Sequence, residues 1–254
     1  MAIAHEAVDL AADIVRTRQP GSVTEKQDRD MVSEVDLAVE RVLRKHLEAA
    51  TPEIGVLGEE EGLSGDAEVM WALDPVDGTA NFVHGLPLCA ISLGLIEHRR
   101  SVLGVIDLPF LGSRYSAALD EGAQRDGTSI RCGAASDLSE AVVSLGDYAV
   151  GSGADRKNQA RFALTRVLAS KAQRVRMLGS SAVDLAWVAD GKLDASIMLS
   201  NKPWDTAAGV VIAREAGAIV LDTEGQPHTA ESPSVIAATP TLIDEAIAIA
   251  RSVL

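Results

Sequence analysis

Two aspartates, Asp74 and Asp77, stand at the end of the apolar run VMWAL in the segment MWALDPVDGTANF. The run predicts a buried strand that ends at Asp74, because Pro75 cannot donate to a sheet ladder. Gly78 permits a sharp turn and a close approach of the backbone to a ligand. The next residues predict a helix start, whose free N–H groups bind anions. The segment favours a divalent cation with a phosphate; an Asp-Pro turn with a capping aspartate is the alternative.

Further acidic residues stand where predicted elements begin or end. Glu59, Glu60 and Glu61 follow an apolar run, Asp36 lies in the first turn of a helix, and Asp205 precedes an apolar-periodic helix as its N-cap. Each alone is typical of a solvated turn, a position in a helix-dipole field or a helix cap. Together they predict a ligand site, because ligands are usually presented at the ends of elements. Ligands that are all oxygen suit Mg²⁺ or Mn²⁺ rather than zinc.

The composition excludes several classes of function. The 254 residues carry a formal net charge of −14, which argues against a nucleic-acid partner. No stretch approaches the ~20 apolar residues of a membrane span, and the N-terminus lacks the pattern of a signal peptide, so a cytoplasmic protein is expected. The five histidines show no metal-site spacing and are interpreted as surface or polar fillers. Cys89 and Cys132 are interpreted as buried thiols in a reducing compartment.

The hydrophobic pattern predicts a layered α/β architecture. An amphipathic helix over residues 3–18 is followed by a second helix that Ser33 caps. Residues 54–130 contain short apolar runs that are typical of a mainly antiparallel sheet, with a hairpin signal in RDGTSI. The second half of the chain alternates strands with helices. We expect one compact unit of two parts, residues 1–139 and residues 140–254, with a soft boundary between them.

Three segments of the chain resemble the inositol monophosphatase family. They are WALDPVDGTANFVHGLP, LGEEEG and PWDTAAGVVIAREAG. Members of this family are metal-dependent, lithium-sensitive phosphomonoesterases. The resemblance covers nearly the whole chain, and chance agreement of all three segments is implausible. It implies an αβαβα layered sandwich, of the type shared with fructose-1,6-bisphosphatases.

The resemblance also implies a set of metal ligands. By position, Glu59 matches the ligand that begins the G-E-E motif, and Asp74 matches a ligand that bridges two metal ions. Val76 contributes its backbone carbonyl, Asp77 holds the second metal ion, and Asp205 completes that second site. The implied cofactor is Mg²⁺, as two or three ions, with Mn²⁺ as a possible substitute.

Other positions match residues that act on water and phosphate in the family. Asp36 and Thr79 together polarise the attacking water, and Glu60 holds a metal-bound water or lies behind the ligands. The backbone amides of Gly78 and Thr79 hold the phosphate. Lys26 matches a loop lysine of the family, although its spacing to Asp36 is one residue shorter, and a solvated loop is the alternative there.

The implied reaction fits the physical chemistry of phosphate esters, which hydrolyse extremely slowly without catalysis. Two cations about 3.5–4 Å apart can stabilise the attacking and leaving oxygens of an in-line displacement. We therefore hypothesise direct attack by metal-activated water on an inositol-1-phosphate-like ester or a related polyol or sugar phosphate. Phosphatases of the haloacid dehalogenase type use Asp-x-Asp, whereas the spacing here is Asp-x-x-Asp, which misplaces the acid.

The substrate side departs from the family pattern. A glutamate that contacts inositol hydroxyls in the family is replaced here by Met198, which cannot accept those hydrogen bonds. Ser180, Ser181 and Asp184 align with the substrate side of the family, and helix capping is their alternative role. The Gly-rich segment 146–159 is interpreted as a mobile loop over the site.

Two alternatives to the main hypothesis remain open. The first is a different activity within the family, such as the hydrolysis of histidinol phosphate. The second is a non-catalytic binding protein on the same scaffold. The partner implied in the main hypothesis is a small-molecule phosphate, with no nucleic acid and no membrane, and the resemblance implies a homodimer.

Overall fold

The structure is a computed structural model that describes residues 1–27 and 30–254. For residues 26, 27 and 30 it describes the backbone only. In this part of the chain, the helices are α1 (Ala2–Thr17), α2 (Glu34–Ala50), α3 (Thr79–Val83), α4 (Ala154–Lys171), α5 (Ser181–Ala189), α6 (Pro203–Glu215) and α7 (Ile243–Arg251). The strands of the first half are β1 (Val23–Gln27), β2 (Asp30–Ser33), β3 (Gly55–Gly58), β4 (Gly62–Ser64), β5 (Val69–Asp77), β6 (Ala90–Glu97), β7 (Arg100–Leu108), β8 (Ser113–Ala118), β9 (Gly122–Arg125) and β10 (Thr128–Ser129). Those of the second half are β11 (Val142–Leu145), β12 (Arg174–Arg176), β13 (Ala195–Met198), β14 (Ile219–Leu221) and β15 (Val235–Ala238).

The described residues form two large sheets and three helical layers. The eight-stranded sheet has the order β10-β9-β8-β7-β6-β5-β3-β4, and the five-stranded sheet has the order β12-β11-β13-β15-β14. Helices α1 and α2 cover one face of the larger sheet, α5 and α6 lie between the sheets, and α4 and α7 cover the outer face of the smaller sheet. This is the αβαβα sandwich that the resemblance implied. Separate apolar cores fill the spaces between successive layers.

The start of α2 shows why this helix begins at Glu34. The Ser33 hydroxyl accepts hydrogen bonds from the amides of Val35 and Asp36, at 3.2 and 3.4 Å. The Asp36 carboxylate accepts in return from the Ser33 amide, at 3.0 Å. This reciprocal capping box confirms Ser33 as the N-cap. It also fixes the direction of the Asp36 carboxylate, which is buried at the base of the site described below.

The larger sheet is mainly antiparallel, as the sequence predicted. Only the pairing of β3 with β5 is parallel among its described strand pairs. The RDGTSI signal forms the β9–β10 hairpin, in which Arg125 pairs with Thr128. Its two loop residues, Asp126 and Gly127, have φ angles of 51° and 77°. Two positive φ angles define the type I′ turn that matches the twist of a tight hairpin.

Two glycines let α6 lie directly on the larger sheet. A Cβ on Gly104 of β7 would stand 2.5 Å from the carbonyl oxygen of Ala208 in α6. A Cβ on Gly94 of β6 would stand 2.7 Å from the Ala208 amide nitrogen. Both distances are too short for any side chain, because real Cβ atoms essentially never approach so closely. The close approach sets the height of α6 above the sheet, and with it the position of Asp205 in the first turn of the helix.

Replacement of Gly104 by alanine is therefore expected to lower the free energy of unfolding by about 1–3 kcal/mol, because the new methyl group meets backbone atoms that cannot rotate away. Urea unfolding followed by circular dichroism measures the change. Gly146→Ala is the matched control, since a Cβ there meets Met198 at an ordinary 3.6 Å. A control that loses as much stability as Gly104→Ala would show that close packing of α6 is not the cause.

The two-part organisation stays a prediction of the sequence. Every described strand of the eight-stranded sheet lies within residues 1–139, and every described strand of the five-stranded sheet lies within residues 140–254. Helix α6, from the second part, packs on the sheet of the first part. The core between the sheets also draws residues from both parts.

The structure also bears on the predictions for the cysteines, the histidines and membrane-spanning helices. Cys89 is buried and Cys132 is half-buried, and both are free thiols. Of the histidines, which were interpreted as surface or polar fillers, His228 is not at the surface, since it is 3% exposed. In the described residues, no helix combines the length and the apolar content needed to cross a membrane.

Candidate active site

Strand β5 presents the two aspartates at its C-terminal end. The predicted end of the strand at Asp74 is wrong, since β5 continues through Pro75 to Asp77. Asp74 pairs with Ser92 and Asp77 pairs with Ala90, with a shift of register between them. Proline is tolerated inside a sheet at such a bulge, where a ladder hydrogen bond is already lost. The bulge brings both carboxylates to the wall of one cavity of about 180 Å³.

Gly78 makes the turn from β5 into α3, the short helix that the sequence predicted after it. Its φ of 88° lies in the left-handed region, which favours glycine. A Cβ at this position would also stand 3.0 Å from the carbonyl oxygens of Leu88 and Gly179. Gly78 and Thr79 border the same cavity as the two aspartates.

Two acidic residues from distant parts of the chain complete the cavity wall. Glu59 follows β3, and Asp205 lies in the first turn of α6. The prediction that Asp205 is the N-cap is wrong: Lys202 occupies that position, and Pro203 begins the helix. Carboxylate oxygens of Glu59, Asp74 and Asp205 lie within 4.8 Å of one another. Lys202 approaches Glu59 at 3.8 Å, as a half-exposed ion pair at the rim.

The surroundings of the Asp74 carboxylate strongly disfavour its ionised form. Burial raises its pKa well above the usual value, and the carboxylates of Glu59, Asp77, Asp205 and Asp36 raise it further. A divalent cation would relieve both effects, since an opposite charge favours the ionised form. The donor atoms are all oxygen, which is the ligand type that Mg²⁺ and Mn²⁺ prefer. These residues therefore fit the metal that the sequence predicted.

Asp77 is buried as well, but hydrogen bonds support its charge. Its carboxylate accepts from the Ala182 amide at 2.6 Å and from the Ser180 hydroxyl. Burial raises its pKa to about 6, and these hydrogen bonds act in the opposite direction. Ser180 also caps α5, because its hydroxyl accepts from the Val183 amide at 3.1 Å. The alternative role of Ser180 as a helix cap is thus present, and it couples the start of α5 to Asp77.

Asp36 and Thr79, which the resemblance paired, are in contact. The Thr79 hydroxyl lies 2.8 Å from a carboxylate oxygen of Asp36 and 3.1 Å from the carbonyl oxygen of Val76. A hydroxyl that donates to a carboxylate keeps its lone pairs free to accept a hydrogen bond from water. Burial raises the pKa of Asp36, and the hydrogen bonds from Ser33 and Thr79 oppose that shift. This pair can therefore hold and orient a water molecule.

A buried ion pair that the sequence analysis missed fixes the loop of Glu59. Glu40 of α2 accepts hydrogen bonds from the amides of Glu60 and Glu61, each at 2.9 Å. Arg44, four residues later, pairs with Glu40 at 2.9 Å. The i,i+4 spacing of Glu40 and Arg44 is a signal that was available in the sequence. The pair positions the loop through its backbone, so the Glu60 side chain is not needed for that task.

The predicted substrate-side residues border a second space that adjoins the carboxylates. This cavity measures about 540 Å³ and includes Asp77 and Asp205 in its wall. Ser181, Asp184 and Met198 all line it. Met198 is buried at the end of β13, so it presents an apolar surface there.

The structure corrects the prediction for the segment 146–159, which lies near this cavity. The segment 146–159 is not a loop throughout, because α4 begins at Ala154. Arg156 and Lys157 lie in the first turn of that helix, and Lys157 lines the cavity. Lys26 lies in β1, but its side chain is outside the described part of the chain.

Asp184 gives a pH-dependent prediction. Burial raises its pKa well above the usual value, so the folded protein holds its proton more tightly than the unfolded chain. This contribution to stability is present below the unfolded pKa of about 3.9 and is lost as the pH rises through the folded pKa. Asparagine removes the titration. We expect Asp184→Asn to gain unfolding free energy relative to the parent protein as the pH rises above the unfolded pKa of about 3.9, in urea titrations with EDTA. A difference that stays constant over this range would contradict the assignment.

These features define a class of protein. Buried and half-buried carboxylates meet in a cavity that Gly78 and Thr79 also line, beside a hydroxyl–carboxylate pair that can orient water. This is the chemistry of a metal-dependent hydrolase that acts on phosphate esters.

Comparisons with known proteins identify the family. The model of the inositol monophosphatase family matches residues 1–253. The inositol-1-monophosphatase ImpA of Mycolicibacterium smegmatis is 37% identical over 254 residues, which cover 99% of this chain and 92% of that protein. The fructose-1,6-bisphosphatase/inositol-1-monophosphatase of Thermotoga maritima is 33% identical, over 89% of this chain and 84% of that protein.

A solved structure agrees with this assignment. The crystal structure of the extragenic suppressor protein suhB from Bartonella henselae superimposes with a TM-score of 0.92 at 28% identity, covering 100% of this chain and 99% of that one. The chain belongs to the inositol monophosphatase family. It is a phosphoric monoester hydrolase of a metal-dependent family.

Proposed function

We propose that the protein hydrolyses a small-molecule phosphate monoester, of the inositol-1-phosphate type or a related polyol or sugar phosphate, with Mg²⁺. The carboxylates of Glu59, Asp74, Asp77 and Asp205 and the carbonyl of Val76 hold two or three Mg²⁺ ions, which Mn²⁺ can replace. The observation that carries this proposal is the approach of the carboxylates of Glu59, Asp74 and Asp205 to within 4.8 Å. Bound divalent cations supply Lewis-acid polarisation of the phosphate and lower the pKa of water.

The chain's own residues prepare the water and the phosphate. Thr79 donates its hydroxyl proton to Asp36 and accepts a hydrogen bond from the attacking water, which it thereby orients. Asp36 keeps this hydroxyl in position, and its own direction is fixed by Ser33. The backbone amides of Gly78 and Thr79 bind phosphate oxygens, and Glu60 holds a further water at the rim. No residue of the chain needs to become phosphorylated in this scheme.

The part of the substrate that lies away from the phosphate occupies the adjoining cavity of about 540 Å³. Met198 offers it an apolar wall without a carboxylate acceptor. Asp147 and Asp184 also line this space, and burial raises the pKa of each. A cationic substrate group would favour their charged forms. Histidinol phosphate, which carries such a group, is therefore the second candidate substrate.

A substrate panel tests the proposal. Release of inorganic phosphate is measured from inositol-1-phosphate, a sugar phosphate and histidinol phosphate, with Mg²⁺, with EDTA, and with added Li⁺. We expect turnover that requires Mg²⁺ and is inhibited by Li⁺, and the largest kcat/KM identifies the substrate class. No turnover with any monoester would favour the alternative of a non-catalytic binding protein on this scaffold.

The proposed partners are the phosphate substrate and a second copy of the chain, in the cytoplasm. The net charge of −14 provides no general attraction to nucleic acid. Sedimentation equilibrium of the purified protein measures the assembly. A mass twice the 26.6 kDa of one chain is expected, and a mass of a single chain at micromolar concentration would contradict the dimer.

A further inference from the structure

A separate cavity lies near the C-terminal end of α6. It measures about 550 Å³ and is bordered by Arg100 at the start of β7, Arg214 in the last turn of α6, and His228. Arg214 follows Asp205 by nine residues in the same helix, which corresponds to about 13 Å along the axis. None of the proposed metal ligands borders this cavity. It is therefore a different place on the molecule from the carboxylate cluster.

Positive charge at this cavity lacks a carboxylate counterpart. The half-buried Arg214 donates hydrogen bonds to the carbonyl oxygens of His228, at 2.7 Å, and Val220, at 3.3 Å. Within residues 1–27 and 30–254, neither Arg214 nor Arg100 forms a salt bridge. Burial lowers the pKa of Arg214, and the neighbouring Arg100 lowers it further. Both guanidinium groups stay charged at neutral pH, because arginine is effectively always protonated.

A comparison within the molecule shows that this arrangement is unusual. The buried Arg44 pairs with Glu40 at 2.9 Å, which is how buried charges are normally satisfied. Arg214 donates its hydrogen bonds to carbonyl oxygens, and the charged group that shifts its pKa, Arg100, has the same sign. An anion in the cavity would supply the missing counter-charge.

His228 lies in the wall of the same cavity. The residue is 3% exposed, and both ring nitrogens are buried and lack a hydrogen-bond partner in the described residues. Burial and Arg214 lower its pKa to about 4, while Asp222 opposes that shift, so the ring is neutral at pH 7. A neutral imidazole has one donor and one acceptor nitrogen, and leaving both unsatisfied is costly. The ring nitrogens lie beneath the surface of the wall, and Arg214 donates to the His228 carbonyl oxygen, so the His228 ring signals report on a molecule that Arg214 binds.

The rest of the wall is aliphatic. Ile219 and Val220 of β14 and Pro227 line the cavity beside the two arginines. Arginine binds carboxylate and phosphate oxygens alike, with strong charge-assisted hydrogen bonds. We propose that this cavity is a second ligand site, which takes a small organic oxyanion with an aliphatic body. Arg100 and Arg214 bind the oxyanion, and the aliphatic wall packs against the body.

Nuclear magnetic resonance of the full-length protein, labelled with ¹⁵N-histidine and kept in EDTA, tests the site. The ring signals of His228 are assigned by their loss in His228→Gln. The probes are 3-methylbutanoate and 3-methylbutyl phosphate, with 3-methylbutanol as the uncharged control and sodium chloride to match ionic strength. We expect a saturable shift of the His228 signals with at least one anion and none with the alcohol. The anion that acts identifies carboxylate or phosphate as the source chemistry.

Two neighbouring arginines provide matched variants. Arg100→Ala is expected to weaken binding of the active anion about tenfold, the usual effect of losing one charge-assisted contact. Arg99→Ala removes the same charge one position away, where the side chain pairs with Glu231 at 2.8 Å, and it should leave the affinity unchanged. Arg214→Lys keeps the charge and should also weaken binding. No saturable shift with either anion, or equal weakening by Arg99→Ala and Arg100→Ala, would overturn the proposal.

Discussion

Replacement of Asp74 by asparagine is expected to lower kcat for phosphate release by about 10³-fold or more, the size of an effect worth several kcal/mol at a metal centre. The substitution keeps the shape of the side chain but removes the most central charge of the carboxylate cluster. The parent and variant are compared in phosphate release at saturating Mg²⁺ and substrate. Because burial and like charges raise the pKa of Asp74, its ionised form opposes folding at neutral pH without metal. The variant should therefore be at least as stable as the parent protein in EDTA.

The combination of lost activity and kept stability separates a ligand role from a structural one. Glu61→Gln is the matched control, because Glu61 belongs to the same acidic run but pairs with Arg41, at 3.1 Å, and Arg44, at 3.7 Å. Such partly exposed pairs contribute about 1 kcal/mol or less, so its kcat should stay close to that of the parent protein. Undiminished turnover by Asp74→Asn would show that Asp74 is not a ligand of the catalytic metal.

Removal of the Thr79 hydroxyl is the second large effect that we expect. Thr79→Ala should lower kcat by about 10²- to 10⁴-fold, the range found for groups that assist proton transfer or orient a nucleophile. KM should change much less, since the backbone amide proposed to bind phosphate is still present. Steady-state kinetics that separate kcat from KM provide the measurement.

The conservative variant Thr79→Ser distinguishes the hydroxyl from the methyl group. Serine retains the donor to Asp36, which lies 2.8 Å from the threonine hydroxyl, so it should restore most of kcat. Equal activity of the serine and alanine variants would mean that the hydroxyl does not orient the water.

Features of the fold that depend on short stretches of chain were predictable from the sequence. The capping box of Ser33 and Asp36 needs only residues three positions apart, and the type I′ hairpin needs only Asp126 and Gly127. The turn at Gly78 followed the same logic, since glycine readily adopts the left-handed conformation that links β5 to α3. Local hydrogen bonding and backbone sterics decide such features before any tertiary contact forms.

Features that depend on tertiary contacts were predicted less well. Pro75 indicated the end of a strand, but pairing of Asp77 with Ala90 across a bulge carries β5 further. Pro203 begins α6 two positions before Asp205, so the acid became a first-turn residue instead of an N-cap. The start of α4 at Ala154 was hidden by the Gly-rich composition before it. In each case a neighbouring element or a helix-start preference outweighed the single-residue signal.

The spacing of residues in the sequence could not predict how the site is assembled. Glu59, Asp74 and Asp205 come from both halves of the chain, and their convergence depends on the stacking of α6 on the larger sheet. The family resemblance indicated that these residues are ligands of one metal centre. The hydrophobic pattern indicated only that each lies at the end of a helix or strand. The Glu40–Arg44 pair behind the Glu59 loop escaped notice, because an i,i+4 pair on a helix is usually a solvent-exposed one.

The central claim is that these carboxylates hold the catalytic metal, and anomalous diffraction from crystals grown with Mn²⁺ tests it most directly. Manganese scatters anomalously, and it shares the preference of Mg²⁺ for oxygen ligands. We expect an anomalous peak about 2.0–2.3 Å from carboxylate oxygens of Glu59 and Asp74 in the parent protein, and loss of that peak in Asp74→Asn. A parent protein with no peak at this cluster under saturating Mn²⁺, or with its metal bound elsewhere, would contradict the account.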